Sequence, residues 1–238
     1  MPSSAVFALF SFIPLVGVGC ANAQGYNWSG FTVDAFIAHG DASVDPSLAP
    51  PPAGPPTLSP SGFFGGGALR YDWQFANGIV LGAVADVGAG NDLYDRKFDG
   101  NSIQQYAEIN TLGTLRANLG ATHGPVHAYV TGGWAWAEAE YGETCPSGVV
   151  FGFCRPPAAG GAGPYDNKDS HFASGWVAGA GVRAMYTENI VVGAEFLHMD
   201  FGNDTYALGV SSGGRKVTDK PNDIDMNSFR LSIGYHFN

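Results

Sequence analysis

The chain has 238 residues, of which 45% are hydrophobic, 13% aromatic and only 13% charged, with 35 glycines and a net charge of −10. No run of eighteen or more apolar residues occurs, which excludes a membrane-spanning helix, and the acidic balance without a basic cluster excludes a nucleic-acid surface. Lipid requires every backbone polar group to be paired within the protein, so a membrane chain of this composition must close its strands into a barrel.

The chain opens on an apolar stretch, Ala5 to Gly19, broken by Ser11 and Pro14 and followed by Ala21-Asn22-Ala23. This A-x-A site predicts a signal peptide over 1–23, cleavage before Gln24 and a barrel domain over 24–238. No Lys or Arg precedes the apolar stretch, so either the start is assigned too late or the α-amino group supplies the positive end. Cys20 has Gly17 three residues before it, where lipoprotein signals usually carry Leu, and the A-x-A reading explains the same residues without lipidation.

Beyond the signal, period-two patterning predicts about eight strands, at 28–39, 61–73, 79–90, 107–119, 126–140, 171–186, 190–201 and 226–237. The connections Gln74–Gly78, Gly120–Pro125 and Thr187–Asn189 are tight. Those at Gly40–Pro60, Asn91–Tyr106, Tyr141–Ser170 and Gly202–Asp225 are long and polar or rich in Pro and Gly. Outer-membrane barrels show this asymmetry, with short periplasmic turns and long extracellular loops; an even strand count puts both termini in the periplasm.

In the fourth strand Ile109, Thr111, Leu115 and Leu119 share one face, and Glu108, Asn110, Thr114, Arg116 and Asn118 the other. In the last, Phe229, Leu231, Ile233, Tyr235 and Phe237 alternate with Ser228, Arg230, Ser232, Gly234 and His236. A soluble sandwich also alternates, but the signal peptide, the loop asymmetry and the aromatic placement favour a barrel. Aromatic residues near strand ends predict two interfacial girdles: Trp28, Trp73, Tyr129, Tyr186 and Phe237 on the turn side, and Phe63, Trp134, Trp136, Trp176 and Phe229 toward the loops. Glycines within strands, Gly65 to Gly67 and Gly132 and Gly133, allow sharp curvature beside large rings.

Following the inward parity of each strand places Asp34, Arg70, Asp86, Glu108, Arg116, Arg183, Glu195 and Arg230 inside, four acids against four arginines. An eight-stranded interior holds little besides side chains, so these charges are expected to pair and plug the lumen. Cys145 and Cys154, the pair left after signal removal, predict a disulfide in an exported protein. Zinc would need further soft ligands nearby, and no metal or cofactor is expected.

Catalytic patterns are weak. GAGVRA at Gly179 to Ala184 fits G-x-G-x-x-A but sits in an alternating strand rather than at a helix start. His198 with Asp200, or His171 with Ser174, has no third orienting group on the same face.

The segments NWSGF (27–31), GFFGGGALRYDWQF (62–75), LGTLRANLG (112–120), YVTGGWAWA (129–137), GWVAGAGV (175–182), VGAEFLHMDFG (192–202) and FRLSIGYHF (229–237) together resemble the OmpA-like, porin-family surface barrels of Gram-negative bacteria. The resemblance covers most strands in order. It implies an eight-stranded antiparallel up-and-down transmembrane barrel in the outer membrane, with a structural envelope role and loops that meet hosts or ligands. It further implies outer-membrane lipid, lipopolysaccharide and the barrel assembly machinery as partners. Tyr235 and Phe237 are the expected C-terminal assembly signal, although Asn238 rather than the aromatic residue ends the chain. No peptidoglycan-binding domain is expected after the last strand. The alternatives are a narrow channel for ions or small solutes, and a lipid-modifying or proteolytic barrel enzyme.

Overall fold

The computed structural model describes residues 26–46, 57–90, 93–98, 103–206 and 220–237. The predicted signal peptide with Cys20, the Pro-rich tip of the first loop, the tip of the last and Asn238 lie outside the described residues.

Nine strands are described, all antiparallel to their neighbours. They are β1 (Gly30–Pro46), β2 (Ser61–Gln74), β3 (Ile79–Ala89), β4 (Tyr94–Phe98), β5 (Gln104–His123), β6 (Val126–Cys145), β7 (Tyr165–Met185), β8 (Ile190–Tyr206) and β9 (Lys220–Phe237). β1 pairs with β2 on one side and β9 on the other, closing the sheet. Eight strands make the ring. β4 is a short piece stacked beyond β3, continuing its place beside β5 from Tyr94↔Glu108 to Phe98↔Gln104.

The pairing register gives the shape of the ring. From Met226 the partners run through Met199, Val177, Gly133, Arg116, Val84, Arg70 and Thr32 back to His236, ten residues further along β9. With eight strands this stagger requires a tilt of about 40°, inside the usual range for closed barrels. The resulting lumen is only wide enough for side chains.

The outer face carries the apolar half of each alternation: Val33 and Ile37 on β1, Leu69 on β2, Leu231 and Ile233 on β9 are about half exposed, while their neighbours are buried or, at Ala68 and Ser232, partly buried. An apolar surface of this extent belongs against lipid rather than water. Trp73, Tyr186 and Phe237 ring the turn end, and Phe63, Trp134, Trp176 and Phe229 the loop end. Trp136 also faces outward, stacked on Phe172 at 5.7 Å. Its indole lies over Gly113, where any Cβ would come within 2.6 Å of the ring. On the inner face Gly66 does the same for Phe36: a Cβ there would stand 2.8 Å from the phenyl Cζ.

Two expected girdle members are elsewhere. Trp28 precedes β1, folds beneath the barrel and is fully buried; Tyr129 points inward and is 6% exposed. Each is held there by an interior partner: the Tyr129 hydroxyl donates to Glu195, and the Arg183 guanidinium lies over the Trp28 ring.

The strands also run past the predicted ends on the loop side, β1 to Pro46, β6 to Cys145 and β7 from Tyr165. Beyond the lipid-facing band an outward side chain has no reason to be apolar, so the hydrophobic period stops while the hydrogen-bond ladder continues. Two bulges punctuate it, between Ile109 and Thr111 on β5 and between Asp200 and Gly202 on β8. The first reverses inward parity along β5: Leu112, Thr114 and Arg116 face in below it, and Ile109, Ala107 and Gln105 above it. Ile109 is therefore in the core, not on the lipid face.

Candidate functional site

From the turn end upward, the interior is built in three layers. At the bottom Trp28, Val80, Met185 and Val191 form a small apolar cluster. The Trp28 backbone N–H donates to Gln74 Oε1 at 2.8 Å, tying the chain entry to β2. His236 Nδ1 lies 3.0 Å from Thr32 Oγ1, and His127 is buried between the Trp28 and Tyr129 rings.

The middle layer is ionic. Arg183 Nη1 donates to Asp72 Oδ2 at 2.6 Å and Nη2 to Thr32 Oγ1 at 3.1 Å, while Asn118 Nδ2 donates to the other Asp72 oxygen. One turn higher, Arg116 donates through Nε to Thr114 Oγ1, through Nη1 to Glu195 Oε1 and through Nη2 to Asp86 Oδ2, each at 2.8 Å. Tyr129 Oη donates to the same Glu195 oxygen and Thr114 Oγ1 to the same Asp86 oxygen. Arg230 Nη1 approaches Asp86 Oδ1 at 3.0 Å. Arg70 is held more loosely, 3.8 Å from Asp34 Oδ2 with its guanidinium over the Tyr129 ring.

Seven of the eight residues predicted for this network are thus inside and buried. Glu108 is not. The β5 bulge turns it outward, where it stands opposite Glu140 and Tyr94 on the neighbouring strands. Asp72, fully buried, takes its place in the charge balance. It shares the parity of Arg70 two residues earlier, so the signal that finds Arg70 finds Asp72 as well. Thr32, Thr114, Asn118 and Tyr129 complete the network as neutral hydrogen-bonding groups; the first three share the inward parity of Asp34 or Arg116, whereas Tyr129 reads as a girdle residue from the sequence.

Above the arginine layer the lumen is mostly apolar, with one buried polar group near the loop end: Glu143 accepts from Gln105 Nε2 at 3.2 Å and from the Tyr165 hydroxyl. Phe36 and Phe64 meet edge to face at 6.2 Å and cover Arg230, whose guanidinium lies 4.7 and 5.7 Å from their centroids. One continuous cluster then runs from Leu112, Leu197 and Met226 through Ile109 and Tyr141 to Cys145, Cys154 and Ala162 near the loop end. Cys145 and Cys154 form the predicted disulfide. It anchors a cap over 146–164 that Arg155 braces from within, donating to the carbonyls of Gly152, Ala159 and Gly160. At the tip of this cap Val150 and Phe151 are 76% and 63% exposed.

The candidate catalytic pairs do not assemble. GAGVRA lies within β7. His198 Nδ1 bonds Asn227 Oδ1 at 3.0 Å, whereas Asp200 Oδ1 accepts from the Gly202 N–H. His171 approaches Asp169, and Ser174 has the opposite parity on β7. Tyr235 and Phe237 face outward on β9, their rings edge to face at 4.7 Å.

A closed eight-stranded sheet with a lipid-type exterior and a packed interior defines a small transmembrane barrel. The chain matches the model of the outer membrane protein beta-barrel domain over residues 10–237 and belongs to that family. It is 27% identical over 215 residues to the 25 kDa outer-membrane immunogenic protein of Brucella melitensis, covering 90% of this chain and 82% of the relative. It is 26% identical over 188 residues to the 31 kDa outer-membrane immunogenic protein of the same species, covering 76% and 68%. Among solved structures, the outer membrane protein OprG from Pseudomonas aeruginosa superposes with a TM-score of 0.50 at 13% identity, covering 91% of this chain and all of that one. That likeness concerns the fold. The protein is an outer-membrane barrel.

Proposed function

We propose that this protein is a non-conducting, non-catalytic surface barrel that supports the envelope and interacts through its loop end. One observation carries this reading: the lumen is filled by paired charges and by apolar packing above them, while the strands continue past the lipid-facing band into a disulfide-anchored cap. A barrel built this way invests its distinctive chemistry outside the membrane. The chain enters the outer membrane from the periplasm after loss of residues 1–23, its turns and termini stay there, and Tyr235 and Phe237 present the last strand to the assembly machinery. Lipopolysaccharide surrounds the loop-end girdle. The immunogenicity of its relatives, as their names record it, supports loops that antibodies and host or surface ligands reach.

Bilayer recording on the purified, refolded monomer tests the reading. It should pass no large or steady single-channel current, and it should not hydrolyse lipid A or peptide substrates. Steady conductance would instead establish the channel, and turnover the enzyme.

A further inference from the structure

Within the ionic layer lies an internal cavity of about 20 Å³, whose lining includes Asp34, Ala68, Arg70, Tyr129, Arg230 and Ser232. Several buried polar atoms of these side chains have no protein hydrogen-bond partner: Nε and Nη1 of Arg70, Nε and Nη2 of Arg230, and Oδ1 of Asp34. The side chains of all three residues are 6% exposed or less. Arg70 Nε is too far from Asp34, at 3.8 Å, for a direct hydrogen bond. Leaving such groups unsatisfied where bulk water does not reach is costly, so they select an occupant.

Size and charge identify it. A water needs about 10–15 Å³ of such space, so the cavity takes one and excludes any organic ligand. The surrounding carboxylates and guanidinium groups balance, and a bound anion would face Asp34 and Glu195 and upset that balance. Only a neutral molecule that accepts from arginine and donates to a carboxylate fits both sides. We propose that the cavity binds one resident water, hydrogen-bonded between Arg70, Arg230 and Asp34, as a built part of the charge network. It completes the arginine that the ion pairs hold least tightly.

The test uses the refolded protein in lipid nanodiscs. The Arg70 Nε–H should show a direct magnetisation-transfer peak to a long-lived water, and magnetic relaxation dispersion should count one fewer long-lived water in Ala68→Val, whose added methyl groups occupy the cavity. An equal count in a folded variant would overturn the proposal. If Ala68→Val does not fold, the Arg70 peak in the unmodified protein decides, and its absence overturns the proposal. Crystals grown in bromide give an independent arm: anomalous density in the cavity would make the site an anion site and refute the water.

Discussion

Arg116 commits its whole guanidinium fork to partners on three strands, Thr114 on β5 itself, Asp86 on β3 and Glu195 on β8. The side chains of Asp86 and Glu195 are 0% and 9% exposed, so bulk water cannot replace the guanidinium when it is removed. Arg116→Ala is expected to destabilise the barrel by about 3–5 kcal/mol, the usual cost of orphaning one side of a buried pair. Urea unfolding in lipid vesicles measures it. The same measurement separates Asp72 from Glu108. Asp72→Ala strands Arg183 in the lumen and should cost a similar amount, whereas Glu108→Ala, on the outer face beside another glutamate, should stay within about 0.5 kcal/mol. Equal effects would mean that the β5 bulge does not reverse the strand.

At the scale of single elements, the cap and β4 are held by different means. The Cys145–Cys154 bond closes a short ring, and a ring of that size restricts the unfolded loop by about 2–3 kcal/mol at most. Cys145→Ser should therefore leave the barrel assembled and make the 146–164 segment easier to cut, which limited proteolysis of the refolded protein reads directly. Failure of the variant to assemble would show that the cap is needed by the ring itself. β4 depends on charge: the Ser59 N–H donates to Asp95 Oδ2 at 2.7 Å, and Lys97 Nζ reaches both Asp95 and the Thr57 carbonyl. Partial burial pushes the Asp95 carboxyl up, but the Ser59 amide and the Lys97 ammonium outweigh it and hold the group below the usual carboxylate range. A carboxyl lowered by folding stabilises its contact above the ordinary value and loses that contribution as the pH falls through its own lower one. Protection of the Ser59 amide, its exchange measured against an unstructured chain at the same pH, should accordingly begin to fall below about pH 4, and in Asp95→Ala it should be low at neutral pH too. Protection independent of pH would detach Asp95 from the contact.

For the whole molecule the asymmetry between its two ends makes the prediction. The turns at 75–78, 124–125 and 186–189 are short, while the opposite end carries extended strands and the cap. An epitope tag in the connection between β8 and β9 should bind antibody on intact cells, and one at Thr187–Asn189 only after the outer membrane is opened. Reversed labelling would invert the molecule in the membrane.

The amino-acid sequence by itself determined the barrel, its eight-membered ring, the three tight turns, the disulfide pair and seven of the buried charges. Lipid and the packed lumen impose opposite demands on alternate residues, and that contrast is written directly into strands such as Phe229 to Phe237. Where the contrast fails, the sequence is silent. The extensions of β6 and β7 and the strand β4 are polar on a face that meets no lipid, so only the hydrogen-bond ladder reveals them. Asn110 inserts one residue opposite the β6 ladder, and nothing in its identity distinguishes it from a regular strand residue. That single insertion carried Glu108 out and Ile109 in. Tyr129 and Trp28 likewise read as interfacial by type and position, and it was the tertiary structure that brought Glu195 to the phenol and Arg183 over the indole. Partners of this kind come from strands far apart in sequence, and a pattern along one strand carries no information about the distance across the lumen.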